Sequence, residues 1–72
     1  METKVVLITG ISSGFGLESA KLLCAEGYTV YGTVRREVER IPGVHYLNAD
    51  VRDADAVKRA VETVIAEQGR ID

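Results

Sequence analysis

The sequence is poor in the features that mark several protein classes. It has one cysteine, Cys24, one proline, Pro42, and no tryptophan, and it contains no repeat, linker or low-complexity segment. A lone cysteine excludes an internal disulfide and fits a reducing cytoplasm. No apolar run approaches the roughly 20 residues a membrane-spanning helix needs, and no basic–apolar–small leader pattern opens the chain. Positive charge is not in excess: 9 Lys and Arg against 11 Asp and Glu give a net charge of −2. That balance argues against a nucleic-acid footprint, which needs a basic face. The expectation is a cytoplasmic protein with neither a membrane nor a nucleic acid as partner.

What is present is ordinary for a globular domain: 46% apolar and 28% charged residues. At 72 residues there is room for one small domain at most. A chain of this size buries only about 60% of the surface it exposes when unfolded, so its core is marginal.

Hydrophobic patterning supplies the element order. Lys4 to Thr9 is a β-branched run that is apolar on both faces, which suits a buried parallel strand, and Gly10 closes it. Gly10 to Gly16 is rich in glycine and serine. Helix formers follow from Phe15 to Glu26, with Gly27 as the stop. Thr29 to Val34 reads as a second strand, in which Gly32 marks close packing against a neighbour. Residues 35–43 are a polar connection ending in the turn signal Pro42-Gly43, with at most a single helical turn. Val44 to Leu47 is a third, short strand. Asp53 caps a helix running to about Gln68, with Gly69 as terminator. On that helix Val57, Ala60, Val61 and Val64 form an apolar face, and Gln68 breaks it. Strand, helix, strand, connection, strand, helix, joined by right-handed crossovers, implies an α/β fold with a doubly wound parallel sheet. About three strands and two main helices are expected, with the first strand central and its far edge, Val5 to Thr9, open.

The sharpest motif is Thr9-Gly10-Ile11-Ser12-Ser13-Gly14-Phe15-Gly16, set between the first strand and the first helix. A dinucleotide fingerprint requires that context. Gly10 permits the tight exit from the strand, Gly14 removes a Cβ where a pyrophosphate would approach, and Gly16 lets the helix pack close to the sheet. The helix N-terminus offers free N–H donors and partial positive charge, and Ser12 and Ser13 add hydroxyls. The bland alternative is a glycine-rich turn that binds nothing.

The run Thr9 to Gly16 resembles the fingerprint of the classical short-chain dehydrogenases/reductases, and its glycine spacing differs from that of the family's extended branch. Asn48-Ala49-Asp50-Val51 is similar to the family's aspartate–aliphatic pair, and Gln68 to Asp72 to the run leading into its fourth strand. Phe15 stands where isoleucine is more usual. The resemblance covers essentially the whole chain. It implies the N-terminal part of a Rossmann-type domain, residues 1–72, in which Gly10, Ser12, Ser13, Gly14, Phe15, Gly16, Asp50 and Val51 bind the cofactor. Asp50 would contact the adenine amino group, or else serve only as a turn residue. Val34 stands at the end of the second strand, where an acidic residue would favour NAD, and Arg35 and Arg36 follow it. By resemblance a basic residue there marks NADP, with Arg35 ahead of Arg36 and NAD as the alternative. The competing reading is a pair of solvated arginines beside Glu37 or Glu39.

The resemblance also implies hydride exchange with a small carbonyl or alcohol substrate, and a homo-oligomer when full length. Family members use a tyrosine with a lysine four residues later, helped by a serine and an asparagine. Here Tyr28, Tyr31 and Tyr46 are followed at that spacing by Gly32, Arg35 and Asp50. No catalytic residue is therefore assigned within these residues, and the 72-residue chain alone is expected to be inactive. The alternative is a nucleotide-binding or interaction module without turnover. His45 has no ligand-type partner nearby and reads as a strand-surface residue, so no metal site is expected. Cys24 reads as a small packed hydrophobe.

Overall fold

The computed structural model describes residues 4–12, 14–36, 38 and 40–72. Three parallel strands, β1 (Val5–Ile8), β2 (Thr29–Val34) and β3 (Val44–Asn48), form a sheet in the order β1-β2-β3. Helix α1 (Gly14–Ala25) joins β1 to β2, and α2 (Ala54–Gln68) follows β3. The pairing is in register from Val5↔Thr29 to Ile8↔Gly32 and from Val30↔Val44 to Val34↔Asn48. The N-terminal part of a Rossmann-type α/β domain, expected from the sequence, is what the chain forms.

Strand alternation divides the core between the two faces of the sheet. On one face Ile11, Ala20, Val30 and Val34 are buried, with Val6, Ile8, Leu23, Cys24, Val44 and Tyr46 around them. On the other, Val5, Tyr31 and Val64 are buried, with Leu7, Leu47 and Ile71. Successive residues of β1 thus pack on opposite sides, which is why its sequence reads as an unbroken apolar run. Cys24 packs as an apolar side chain on the first of these clusters.

Both helix ends follow the glycines. Gly27 has φ +93°, its N–H donates to the Cys24 carbonyl (3.1 Å), and the Tyr28 N–H reaches the Leu23 carbonyl (3.1 Å). That pair of bonds is a Schellman ending. Gly69, at φ +81°, donates to the Ile65 carbonyl. At the other end of α2 the Asp53 carboxylate accepts from the Asp55 and Ala56 N–H groups (3.0 and 3.2 Å). The break in the α2 apolar stripe has a physical reason. The Gln68 amide donates to the hydroxyl of buried Tyr31 (3.0 Å), and that hydroxyl in turn donates to Glu67 (2.5 Å). His45 is exposed and stacks on the Tyr31 ring, with centroids 4.6 Å apart.

The β2–β3 connection is shorter than the dozen or so residues usual for a parallel crossover. None of its described residues is helical. Side chains do the work of a helix instead. Val38 packs on the α1-side core, and the Tyr46 hydroxyl accepts from the Ile41 N–H (2.9 Å). Val44 N–H closes a turn on the Ile41 carbonyl (3.2 Å), with Pro42 and Gly43 (φ +89°) at its centre. That is the residue pair a type II turn requires.

The β1 edge away from β2 is not wholly open, contrary to expectation. Asp72 lies beside it: its N–H donates to the Val5 carbonyl (2.7 Å), and its carboxylate accepts from the Val5 N–H (2.8 Å). Arg70 pairs with the same carboxylate.

Gly32 explains how α1's entry loop reaches the sheet. A Cβ at this position would overlap the Ile11 side chain, which is itself 1% exposed. Gly32→Ala is therefore expected to destabilise by about 1–3 kcal/mol through overpacking. Ile11→Ala is expected to cost about 2–5 kcal/mol through loss of burial. The double variant should be more stable than the sum of the two losses, because the new methyl enters the vacated space. Denaturant titration of the four proteins gives the coupling. Additive losses would contradict the packing described here.

Candidate functional site

The carboxyl ends of the three strands bring the glycine loop, residues 35–36 and residues 49–52 to one side of the sheet. In open α/β sheets that side carries the ligand crevice. The loop leaves β1 at Gly10, where φ is +69°, and enters α1 at Gly14, where φ is +65°. L-residues other than glycine seldom adopt either angle. A Cβ on Gly14 would meet nothing, so the space in front of it is free for an approaching group. A Cβ on Gly16 would overlap the Gly10 carbonyl oxygen. The first turn of α1 is thus packed directly against the end of β1.

Two bonds and one side chain hold the loop to β2. The Gly10 N–H donates to the Thr33 hydroxyl and the Ile11 N–H to the Thr33 carbonyl, each at 3.0 Å. Ile11 meanwhile covers Gly32. Thr33 is 1% exposed, the buried polar residue of the sheet, and both of its oxygens serve the loop. Neither Ile11 nor Thr33 stood out in the sequence. The available signal was an isoleucine in an otherwise small and polar loop.

The two helix N-termini differ. α2 has its own acidic cap in Asp53 and an acidic residue in its first turn, Asp55. α1 has no acidic side chain in its first turn. No carboxylate of its own first turn therefore offsets the positive end of its dipole, which favours an anion there. Ser12, Gly14 and Phe15 are exposed beside it, Phe15 at 94%, and Gly16 is half-buried. Ser13 lies outside the described residues.

Arg35 and Arg36 are both exposed just past β2; Glu37 and Glu39, the competing partners, lie outside the described residues. Val34, at the end of β2 as expected, is 6% exposed and belongs to the α1-side core. The first β2-end side chain in solvent is Arg35.

Beyond β3 the ladder continues for one residue, with the Ala49 N–H donating to the Val34 carbonyl (2.9 Å). This fixes half-buried Asp50 near the ends of both strands, with Val51 exposed beside it. The Asp50 carboxylate accepts from Arg52 three times. Oδ1 receives the backbone N–H (2.9 Å) and Nε (3.1 Å), and Oδ2 receives Nη2 (2.9 Å). These bonds, with a smaller contribution from the Arg35 charge, hold the Asp50 carboxyl down at about 2. Asp50 is thus a turn residue whose charge also stands at the strand ends, so both of its sequence readings remain compatible with its position. Arg52 was not singled out in the sequence.

A cavity of about 370 Å3 adjoins the loop, between α1 and the β2–β3 connection, lined by Ser12, Leu17, Lys21 and Arg40 among others. Among the described residues no group of His, Cys, Asp or Glu is arranged to hold a metal ion, and no helix is long and apolar enough to cross a membrane.

A parallel sheet with a glycine loop latched over its carboxyl edge is the framework of a dinucleotide-binding domain. The chain belongs to the short-chain dehydrogenase family, whose model matches residues 4–72. It is 47% identical, over its whole length, to 3-ketodihydrosphingosine reductase of Bacteroides thetaiotaomicron, of which it spans 27%. It is 42% identical to a probable NADP-dependent dehydrogenase in the aabA 3′ region of Dichelobacter nodosus, covering 94% of this chain and 71% of that one. A short-chain dehydrogenase from Streptomyces avermitilis superposes with a TM-score of 0.85 at 35% identity, covering 99% of this chain and 29% of that one. The chain thus spans less than a third of the Bacteroides and Streptomyces proteins.

The ionisation of Asp50 is directly testable. A carboxyl-carbon NMR titration should give a midpoint of about 2 for Asp50, rising toward the ordinary 3.8 in Arg52→Ala. Because the folded value is depressed, the stabilisation it reports is present above 3.8 and is lost as pH falls toward 2. An ordinary midpoint in the unaltered protein would contradict the Arg52 geometry.

Proposed function

We propose that this chain is the cofactor-binding part of an NADP(H)-dependent oxidoreductase that exchanges hydride with a small carbonyl or alcohol substrate. The observation that carries the reading is the latched glycine loop, which starts α1, with no acidic side chain in its first turn, at the carboxyl edge of the sheet, where two exposed arginines follow β2. Gly10, Ser12, Ser13, Gly14, Phe15 and Gly16 cradle the pyrophosphate through backbone N–H groups and hydroxyls. Arg35, supported by Arg36, takes the 2′-phosphate through its fork of donors. Asp50 accepts from the adenine amino group, and Val51 lies against the base. The bound cofactor supplies the hydride.

The acid–base and substrate-positioning groups belong to residues other than these 72, which alone bind without turnover. Dehydrogenase and reductase relatives support the reaction class, and the Dichelobacter protein's description supports NADP over NAD. A cytoplasmic site of action fits the lone, half-buried Cys24, and assembly into a homo-oligomer belongs to the same reading.

The test compares dissociation constants for NADPH and NADH in the protein as its gene encodes it. Arg35→Ala should weaken NADPH roughly ten- to a hundredfold, the range expected for one charge-assisted contact, and NADH much less. Equal weakening of both would make Arg35 structural. A preference of the unaltered protein for NADH would overturn the NADP assignment.

A further inference from the structure

Asp50 presents an unusually narrow acceptor. A carboxylate has about four lone-pair sites. Three are taken by Arg52: two on Oδ1, from its backbone N–H and Nε, and one on Oδ2, from Nη2. The guanidinium meets the carboxylate side-on, so the carboxylate plane is fixed by the plane of the fork. The backbone around it is fixed too. Asp50's carbonyl accepts from the Asp53 N–H (2.9 Å), and Asp53 caps α2, while Ala49 is tied to Val34. One acceptor site, on Oδ2, is left.

We infer that Arg52 is a positioning residue for base recognition: its guanidinium occupies the other acceptor sites of Asp50 and aims the remaining Oδ2 lone pair at a single N–H donor. The inference rests on the reading of Asp50 as the adenine contact. It adds that the specificity at this point belongs to the Asp50–Arg52 pair, and that the pair reads one exocyclic amino group instead of two neighbouring hydroxyls. The pair is a poor candidate for a folding element. The Arg52 side chain is 73% exposed, and ion pairs at such positions contribute little to stability.

The test uses NADPH and its analogue in which the adenine 6-amino group is replaced by hydrogen, titrated into the protein as its gene encodes it. The readout is the ratio of the two dissociation constants, with melting temperature followed in parallel. The unaltered protein should favour NADPH by about tenfold, in the range of one hydrogen bond to a charged acceptor. Asp50→Ala should bring the ratio near one. Arg52→Ala should lower it severalfold by weakening NADPH and leaving the analogue unchanged, the melting curve confirming that the variant folds. Arg52→Lys keeps the charge but lacks the fork, and should resemble Arg52→Ala. A ratio that collapses in Asp50→Ala and stays intact in Arg52→Ala overturns the inference while the Asp50 reading stands. A ratio unmoved by Asp50→Ala overturns both. Equal weakening of NADPH and the analogue in Arg52→Ala makes Arg52 merely structural.

Discussion

Thr33 and Gly32, two adjacent residues of β2, receive the glycine loop: one through hydrogen bonds to Gly10 and Ile11, the other by leaving room for the Ile11 side chain. Most of the rest follows from that contact. A loop containing two positive-φ glycines has little intrinsic preference for one path. Anchored at Gly10 and Ile11, it is confined, and the next constraint falls on Gly16, whose missing Cβ lets α1 begin against the Gly10 carbonyl. The burial of Ile11 also joins the loop to the α1-side core beside Ala20, Val30 and Val34. Loop, helix and sheet therefore form one packed unit rather than a rigid scaffold with a flexible insert.

That unit explains why the two helix starts differ in what they offer. α2 spends its N-terminal donors internally, on Asp53. α1 starts with Gly-Phe-Gly-Leu, which carries no side chain able to neutralise its dipole. The loop delivers this start to the carboxyl edge of the sheet, where Arg35, Asp50 and Arg52 also stand. The helix end and the arginines contribute positive potential beside the Asp50 carboxylate, an arrangement suited to a ligand with phosphates at one end and an N–H donor at another.

Much of this was legible in the sequence because it rests on local rules. The glycine stops at Gly27 and Gly69, the Asp53 cap, the Pro42-Gly43 turn and the strand-to-helix setting of Thr9–Gly16 each depend on a few adjacent residues. Gly32 could be read as a point of close approach, but not as the seat of Ile11, because the partner lies far along the chain. The same limit hid Thr33. The inward facing of Val34 follows from strand alternation, which puts it on the same face as Val30 and Gly32. The β2–β3 crossover, with no helix among its described residues, was legible only in part, since Tyr46 and Val38, which pin it, looked like ordinary strand and loop residues. Gln68 broke a helical pattern for a reason that lay on the sheet, in the Tyr31 hydroxyl.

The central claim is that the Thr33 latch sets the loop for the dinucleotide, and one substitution series addresses it directly. Thr33→Val keeps the shape of the side chain and removes the acceptor of the Gly10 N–H, whereas Thr33→Ser keeps the acceptor. With folding confirmed by circular dichroism, the dissociation constant for NADPH should rise about tenfold in Thr33→Val and stay within about twofold in Thr33→Ser, the scale set by one unmet backbone donor. A folded Thr33→Val protein that binds NADPH as tightly as the unaltered one would contradict the account.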